Sequence, residues 1–379
     1  MNNNIQKLFE NKSLSQEQIA SILQHRQIDL ELTGKCSLMC PYCISANSKT
    51  YDSSLINGLG IEAFLKKLEH IAKPYMPLLF AIIGPGEPTE SEYFVPIVKR
   101  LLELGNNIKI MTNIRGIVNI QKAISKENGH RVQLVVSFHL GAFLERQNRD
   151  YLRGEFMANI KVISELGCKI NTINTPLSPA ILHENVALYL SDIKEIMNIT
   201  QQQFQPTPVE MYGFYHGKRY PESYTKEELT QIAFIHEQLH YNYQQHGLVK
   251  KEDTNVIANQ QLEQQIQHLE NQLTLKQCPC VMMMKHIAID LFGRVRYCNM
   301  VPPFILGNFR DFPEHMPIFS NNPVQCPADI CHCKSSGTAH ALFPYGITLN
   351  QYYEAYYSDQ NKPEIAKLFN DEKNEHNRK

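Results

Sequence analysis

The sequence predicts an α/β fold: a partial (β/α)6 barrel followed by a small extension that contains a β-hairpin. Three observations lead there. Six short strand-like runs between residues 28 and 205 are separated by stretches with helical apolar spacing. The run Leu78 to Ile83 is apolar throughout, as a strand in a parallel sheet buried on both faces would be. The cysteines gather at two places, three of them directly behind the first strand and six between Cys278 and Cys333.

The elements follow in order. Ile28-Asp-Leu-Glu-Leu32 alternates and feeds straight into Cys36. Gly60 to Lys73 carries Ile61, Phe64, Leu65, Leu68 and Ile71, a helical stripe. After strand Leu78–Ile83 come helix Tyr93–Leu104, strand Ile108–Thr112, helix Ile120–Lys126 and strand Val132–Ser137. Helix Phe156–Leu166, strand Lys169–Asn174, helix Asn185–Met197 and a strand near Gln203–Gln205 complete the series. Strands joined through helices pair in parallel by right-handed crossovers, and such barrels carry their chemistry at the C-terminal strand ends. The expected organisation is a helical lead-in over 1–27, the barrel over 28–220, a helical linker over 221–276, the extension over 277–335 and a C-terminal helix and polar tail over 336–379. Within the linker, Leu262, Ile266, Leu269 and Leu273 form a narrow apolar stripe. In the extension, His286–Gly293 and Arg294–Tyr297 read as a hairpin turning at Phe292-Gly293.

The 379 residues carry 37 Lys+Arg against 38 Asp+Glu, a formal charge of −1, which argues against a general nucleic-acid binder. No apolar run approaches the roughly 18 residues of a membrane span, and Met1 to Glu10 shows no signal-peptide segment, so a cytoplasmic location is expected. Ten cysteines in such a chain are read as metal ligands or redox thiols, since the cytosol keeps thiols reduced. The spacing Cys36-x3-Cys40-x2-Cys43 has a chance expectation of roughly 0.005 in a shuffled chain of this composition. Three thiolates on one short loop can hold three irons of a 4Fe-4S cube, leaving the fourth iron open to another ligand. Zinc is the alternative, but no fourth Cys or His stands nearby.

That loop, with Tyr42 just before the third cysteine, resembles the signature of the radical S-adenosylmethionine (SAM) enzymes. The resemblance implies a TIM-like partial barrel, a 4Fe-4S cluster on Cys36, Cys40 and Cys43, and SAM chelating the open iron. Reductive cleavage of SAM then yields a 5′-deoxyadenosyl radical that abstracts a substrate hydrogen. Gly84-Pro-Gly-Glu-Pro88 is similar to the family's Gly-Gly-Glu-Pro stretch, which holds the SAM amino group, with Pro85 replacing the second glycine. Gly84 and Gly86 would admit a close ligand through their backbone, and Glu87 would be an available acceptor. Thr112 and Asn113 resemble the family's Thr-Asn-Gly strand end, with Ile114 at the glycine position. Ser137 stands where a family serine meets the SAM ribose or carboxylate. Tyr42, Gly84, Gly86, Glu87, Thr112, Asn113, Ser137 and Asn171 are therefore the expected cofactor-binding set.

His139 is a candidate substrate-side acid or base, tunable near neutrality, or a hydrogen-bonding residue. Asn171 and Asn174 face the cofactor or line a polar interior. Arg146, Arg149 and Arg153 bind an anion or form a solvated helix approach. Cys168 reads as a buried structural thiol.

The spacing Cys280-x12-Gly293-x4-Cys298, with Gly307-Asn308 beyond it, resembles the SPASM/twitch extension of the same enzymes. Six cysteines cannot fully ligate two cubes, so one auxiliary 4Fe-4S cluster is expected, on Cys280, Cys298 and two of Cys326, Cys331 and Cys333. Cys278 competes with Cys280, and zinc is again the alternative. The resemblance implies hydrogen abstraction from an unactivated C–H bond and a flavodoxin- or ferredoxin-type electron donor. Only 35 residues precede Cys36, against roughly 80 for a fused leader-binding domain, which favours a small polar metabolite as substrate. The alternatives are a maturase that crosslinks or epimerises a ribosomal peptide, and a non-catalytic iron–sulfur redox sensor or scaffold.

Overall fold

The computed structural model describes residues 12–43, 52–201, 204–245, 279–297, 305–311 and 318–325, with a few single positions besides. Helix α1 (Gln16–Gln24) opens on a capping box in which Ser15 and Gln18 satisfy each other's backbone amides. The strands that follow are β1 (Gln27–Glu31), β2 (Leu79–Ile83), β3 (Asn107–Thr112), β4 (Val132–Ser137), β5 (Lys169–Pro176) and β6 (Gln205–Val209). Between them run α2 (Ser54–Leu59), α3 (Ile61–Ala72), α4 (Phe94–Glu103), α5 (Ile117–Ala123), α6 (Leu140–Leu144), α7 (Arg149–Glu165) and α8 (Val186–Thr200). All six strands pair in parallel with their sequence neighbours. This is the expected (β/α) series, an open TIM-like partial barrel rather than a closed one.

The period of two along each strand divides the sheet into two chemistries. One face carries Ile28, Leu30, Phe80, Ile82, Ile108, Ile110, Leu134, Val136, Ile170 and Ile173, all fully buried. Phe64, Leu68, Ile97, Leu101, Phe156, Ile160 and Ile193 of the helices belong to the same core. The other face bears Lys109, Gln133, Ser137, Thr172, Asn174 and Thr207, all only partly buried.

One strand is displaced from expectation. β6 lies at Gln205–Val209 instead of Gln203–Gln205, because its sequence Gln-Pro-Thr-Pro-Val hides the strand pattern. Proline cannot donate to a ladder, and β6 is accordingly an edge strand. A hairpin of β7 (Gly213–Tyr215) and β8 (Lys218–Tyr220) follows, turning on His216 and Gly217 with φ of 47° and 76°. Helix α9 (Lys226–Gln245) begins the linker, while the Leu262–Leu273 stripe and the C-terminal tail lie outside the described residues.

The short strand β9 (Pro279–Cys280) precedes β10 (His286–Ile289), β11 (Arg294–Arg296), β12 (Ile305–Asn308) and β13 (Val324–Gln325). The expected hairpin is present as β10 and β11, but it is no separate sheet. β10 lies parallel to β1, with Gln27 opposite His286, so the sheet runs β12-β11-β10-β1-β2-β3-β4-β5-β6. A buried pair cross-links the join. His286 Nε2 stands 2.9 Å from Asp29 Oδ2, and its Nδ1 stands 3.2 Å from the Tyr297 carbonyl oxygen. Among the described residues no helix is long and apolar enough to cross a membrane.

Candidate active site

Cys36, Cys40 and Cys43 lie on the loop that leaves the C-terminal end of β1, where the sheet topology places ligand chemistry. Several contacts hold this loop. Gly86 N–H donates to the Thr33 carbonyl at 3.1 Å and Glu87 N–H to the Lys35 carbonyl at 2.8 Å. A Cβ at Gly86 would collide with the Gly34 and Lys35 backbone, so only glycine permits the approach. The Glu90 carboxylate accepts from the Ser37 amide at 2.8 Å and from the Ser37 hydroxyl. Arg146 donates to the Leu38 carbonyl, and Lys35 pairs with Asp52 behind the loop.

The glycine-rich loop is therefore packed against the cysteine loop. The close approach of Gly86 is to the cysteine loop, and its amide is spent there rather than left for a ligand. Glu87 is likewise no free acceptor. Its Oε1 accepts from Thr89 N at 3.1 Å, Thr89 Oγ1 at 2.6 Å and Thr112 Oγ1 at 2.6 Å, while Oε2 accepts from Asn113 N at 2.6 Å. Burial pushes this carboxyl up against the four hydrogen bonds that hold it down. Glu87 thus ties the end of β2 to the end of β3. Thr112 is buried, points to Glu87 and accepts from Ile114 N at 2.8 Å, so it too serves the scaffold. Ile114 itself sits at φ 59°, a left-handed conformation in which a β-branched residue is strained.

Asn113 is the member of this group that reaches the cysteines: its Nδ2 donates to Cys36 Sγ at 3.6 Å. The Leu38 and Met39 amides also point at that sulfur, opposing the upward push of burial on the Cys36 thiol. Three N–H donors around one sulfur suit a thiolate that carries charge toward a metal. Among the described residues no three His, Cys, Asp or Glu side chains form a group able to hold a single metal ion. The thiolates of a cube each bind a different iron and need no such convergence. The loop residues fit a 4Fe-4S cluster on this donor set.

Ser137 and Asn174 lie level with each other at the ends of β4 and β5, on the polar face. Asn171 does not join them. It falls at the irregularity between β4 and β5, three residues and about 10 Å lower along the strand, and donates to Gln133 Oε1 at 2.8 Å. Gly84 packs against the Thr33 carbonyl, where a Cβ would come within 2.8 Å.

His139 is held by Tyr42, whose hydroxyl oxygen is 3.3 Å from its Nδ1. Burial pushes His139 down to about 4, which leaves the ring neutral at physiological pH. Because its folded value lies below the 6.5 of the free side chain, only the unfolded chain gains a proton as pH falls from about 6.5 to 4. Stability should therefore decline across that window, by on the order of 3 kcal/mol at most and less for a ring that water partly reaches. Denaturant titrations of wild type and His139→Gln at pH 7 and 4.5 check this: the pH slope should shrink in the variant.

The three arginines separate. Arg146 holds the cysteine loop. Arg153 binds the fully buried Asp192 in a bidentate pair at 2.8 and 2.9 Å, which makes it structural rather than an anion receptor. Arg149 lines a cavity of about 180 Å³ with Leu140, Phe143 and Asp150. Cys168 is buried at the N-terminal end of β5, with its thiol pushed up to about 12, as a structural thiol should be. Of the C-terminal candidates, Cys298, Cys326, Cys331 and Cys333, and the competitor Cys278, lie outside the described residues. Cys280 pairs across from Val324, two positions before Cys326 in the chain. Six residues after Cys280, His286 pairs with the first residue of β1, so Cys280 approaches the sheet from the end opposite the Cys36 loop.

No family model and no curated protein matches the chain. Solved structures do. Streptococcus suis SuiB bound to S-adenosylmethionine is 16% identical with a TM-score of 0.46, covering 73% of this chain and 60% of that one. Native anSMEcpe with bound AdoMet is 14% identical with a TM-score of 0.47, covering 91% and 99%. BtrN in complex with AdoMet and 2-DOIA is 12% identical with a TM-score of 0.31, covering 76% and 79%. These proteins are radical SAM enzymes. The chain spans about 60% of the length of SuiB.

Proposed function

We propose that this chain is a radical SAM enzyme acting on a polar substrate held against the polar face of its sheet. The observation that carries the reading is the cysteine loop itself: three spaced thiols at the C-terminal end of β1, with Asn113 and two loop amides directed at Cys36. When bound there, a 4Fe-4S cluster with SAM on its open iron supplies the electron for sulfonium cleavage and hence a radical able to take hydrogen from an unactivated C–H bond.

The protein's own work is positioning. Gly86, Glu87, Glu90 and Arg146 hold the loop rigidly against β2, β3 and α6, which keeps the cysteines at fixed spacing. Ser137 and Asn174, level with each other toward the C-terminal ends of β4 and β5, offer hydrogen bonds to a hydroxyl- or amide-bearing substrate, in keeping with a small polar metabolite. Cys280, with Cys298 and two of Cys326, Cys331 and Cys333, would hold an auxiliary cluster on the far side of that substrate, where it can accept an electron or shape the pocket.

Iron and sulfide content with EPR on anaerobically reconstituted protein tests the assignment. Wild type should hold about eight irons, falling to about four in the Cys36/Cys40/Cys43→Ala variant. About four falling to nearly none would leave the barrel cluster and remove the auxiliary one.

A further inference from the structure

The cavity beside Arg149 is lined from α6 and from the starts of α7 and α8, with no strand residue among its walls. It is therefore separate from the polar sheet face. Its volume is about 180 Å³. Pockets for drug-sized molecules run to about 300–1,000 Å³, so this one suits a small metabolite.

The lining divides by chemistry. Phe143, Leu144 and Leu188 supply apolar surface. Arg149 and Asp150, the first two residues of α7, supply charge of both signs. Both are exposed, and among the described residues neither the guanidinium nor the carboxylate forms an ion pair or a side-chain hydrogen bond, not even with the other. Arg153 also reaches the cavity, but its guanidinium is held by Asp192. Asn185 gives a side-chain N–H to the Ala180 carbonyl at 2.7 Å, which leaves its amide oxygen as an acceptor. Neither α7 nor α8 has a side-chain N-cap, so the amides of their first turns add positive potential for a carboxylate.

One small volume thus offers an unpaired cation, an unpaired anion, a neutral acceptor and an apolar wall. A ligand with a single charge would match only part of this set. A zwitterion with an apolar body matches all of it. We propose that the cavity is a binding site for a free α-amino acid with an apolar side chain. Its carboxylate pairs with Arg149, its ammonium group donates to Asp150 and the Asn185 amide oxygen, and its side chain packs on Phe143, Leu144 and Leu188. The site stands one helix away from the cysteine loop: Ala142 of α6 bonds the Tyr42 hydroxyl, and Arg146, just past the helix, donates to the Leu38 carbonyl.

Calorimetric titration of L-leucine into the full-length, iron-loaded chain without SAM tests the proposal. Wild type should bind one leucine. Arg149→Gln and Asp150→Asn should each bind it about tenfold more weakly, the range of one charge-assisted hydrogen bond, with unchanged thermal unfolding because both positions are exposed. Isocaproate, which lacks the ammonium group, and isoamylamine, which lacks the carboxylate, should each fall by a similar factor. The amino and carboxylate groups of leucine can also chelate an open iron, so the Cys36/Cys40/Cys43→Ala variant separates the two locations: it should bind leucine as wild type does. Loss of binding in that variant would place the amino acid on the cluster and overturn the proposal. Absence of saturable binding at millimolar leucine, full affinity in both charge variants, or isocaproate bound as tightly as leucine would each overturn it as well.

Discussion

Replacing any one of Cys36, Cys40 or Cys43 by alanine should cost the protein about four irons and reduce SAM cleavage to the uncatalysed background. The effect is large because a cube on three thiolates has no redundancy: with two, a second iron is left without a protein ligand. The loop should survive the substitution, since Gly86, Glu87, Glu90 and Arg146 hold its backbone through groups other than the sulfurs. Cys168→Ser is the control. That thiol is buried at the opposite end of the sheet, so the variant should lose about 1–3 kcal/mol of stability and keep its iron. Iron content, the reduced EPR signal and thermal unfolding separate the two outcomes.

The second large effect is expected at Glu87. Alanine there removes the acceptor from four buried donors at once: two threonine hydroxyls and the amides of Thr89 and Asn113. We expect a loss of about 4 kcal/mol, or a Tm lower by about 5 °C for a chain of this size. Glu87→Gln should cost about half as much, because whichever way the amide turns, one backbone N–H meets an NH2 instead of an oxygen. Since Asn113 is anchored by Glu87 and bonds Cys36, both variants should also shift the EPR signal of the barrel cluster. Unchanged stability in Glu87→Ala would show that its hydrogen bonds are replaced by water.

Much of this arrangement was legible in the sequence, for identifiable reasons. Strands β2, β3 and β4 lie within a residue of the expected ranges, because buried parallel strands announce themselves as apolar runs bounded by turns. The hairpin of β10 and β11 was legible from Gly293, which takes φ 83° at its turn. The parallel pairing of β10 with β1 was not, since a contact across more than 250 positions leaves no local mark on either strand. His286 and Asp29, the pair that joins them, read singly as an unremarkable polar residue in each strand.

The site divides in the same way. Cysteine spacing identified the loop, but residue type alone could not tell a ligand-facing glutamate from one consumed by the scaffold. Glu87, Gly86 and Thr112, which read in sequence as cofactor-binding residues, make hydrogen bonds that hold the loop and the strand ends beneath it. A signal was present in Thr89 and Thr112, hydroxyl donors near a buried acid, though their shared target depends on β2 and β3 being neighbours. Arg146 reads in sequence as an anion receptor or a solvated side chain, yet its partner is a backbone carbonyl, which no sequence pattern marks. The sequence pattern places β6 two residues early because Pro206 and Pro208 argue against a strand anywhere except at an edge.

The central claim is that the Cys36 loop holds a cluster that cleaves SAM. Formation of 5′-deoxyadenosine and methionine from SAM by the anaerobically reconstituted, dithionite-reduced chain tests it most directly. Wild type should produce both in equal amounts, and the Cys36/Cys40/Cys43→Ala variant neither. A wild-type protein that carries its full iron and binds SAM but yields no 5′-deoxyadenosine would contradict the claim and leave an iron–sulfur scaffold in place of an enzyme.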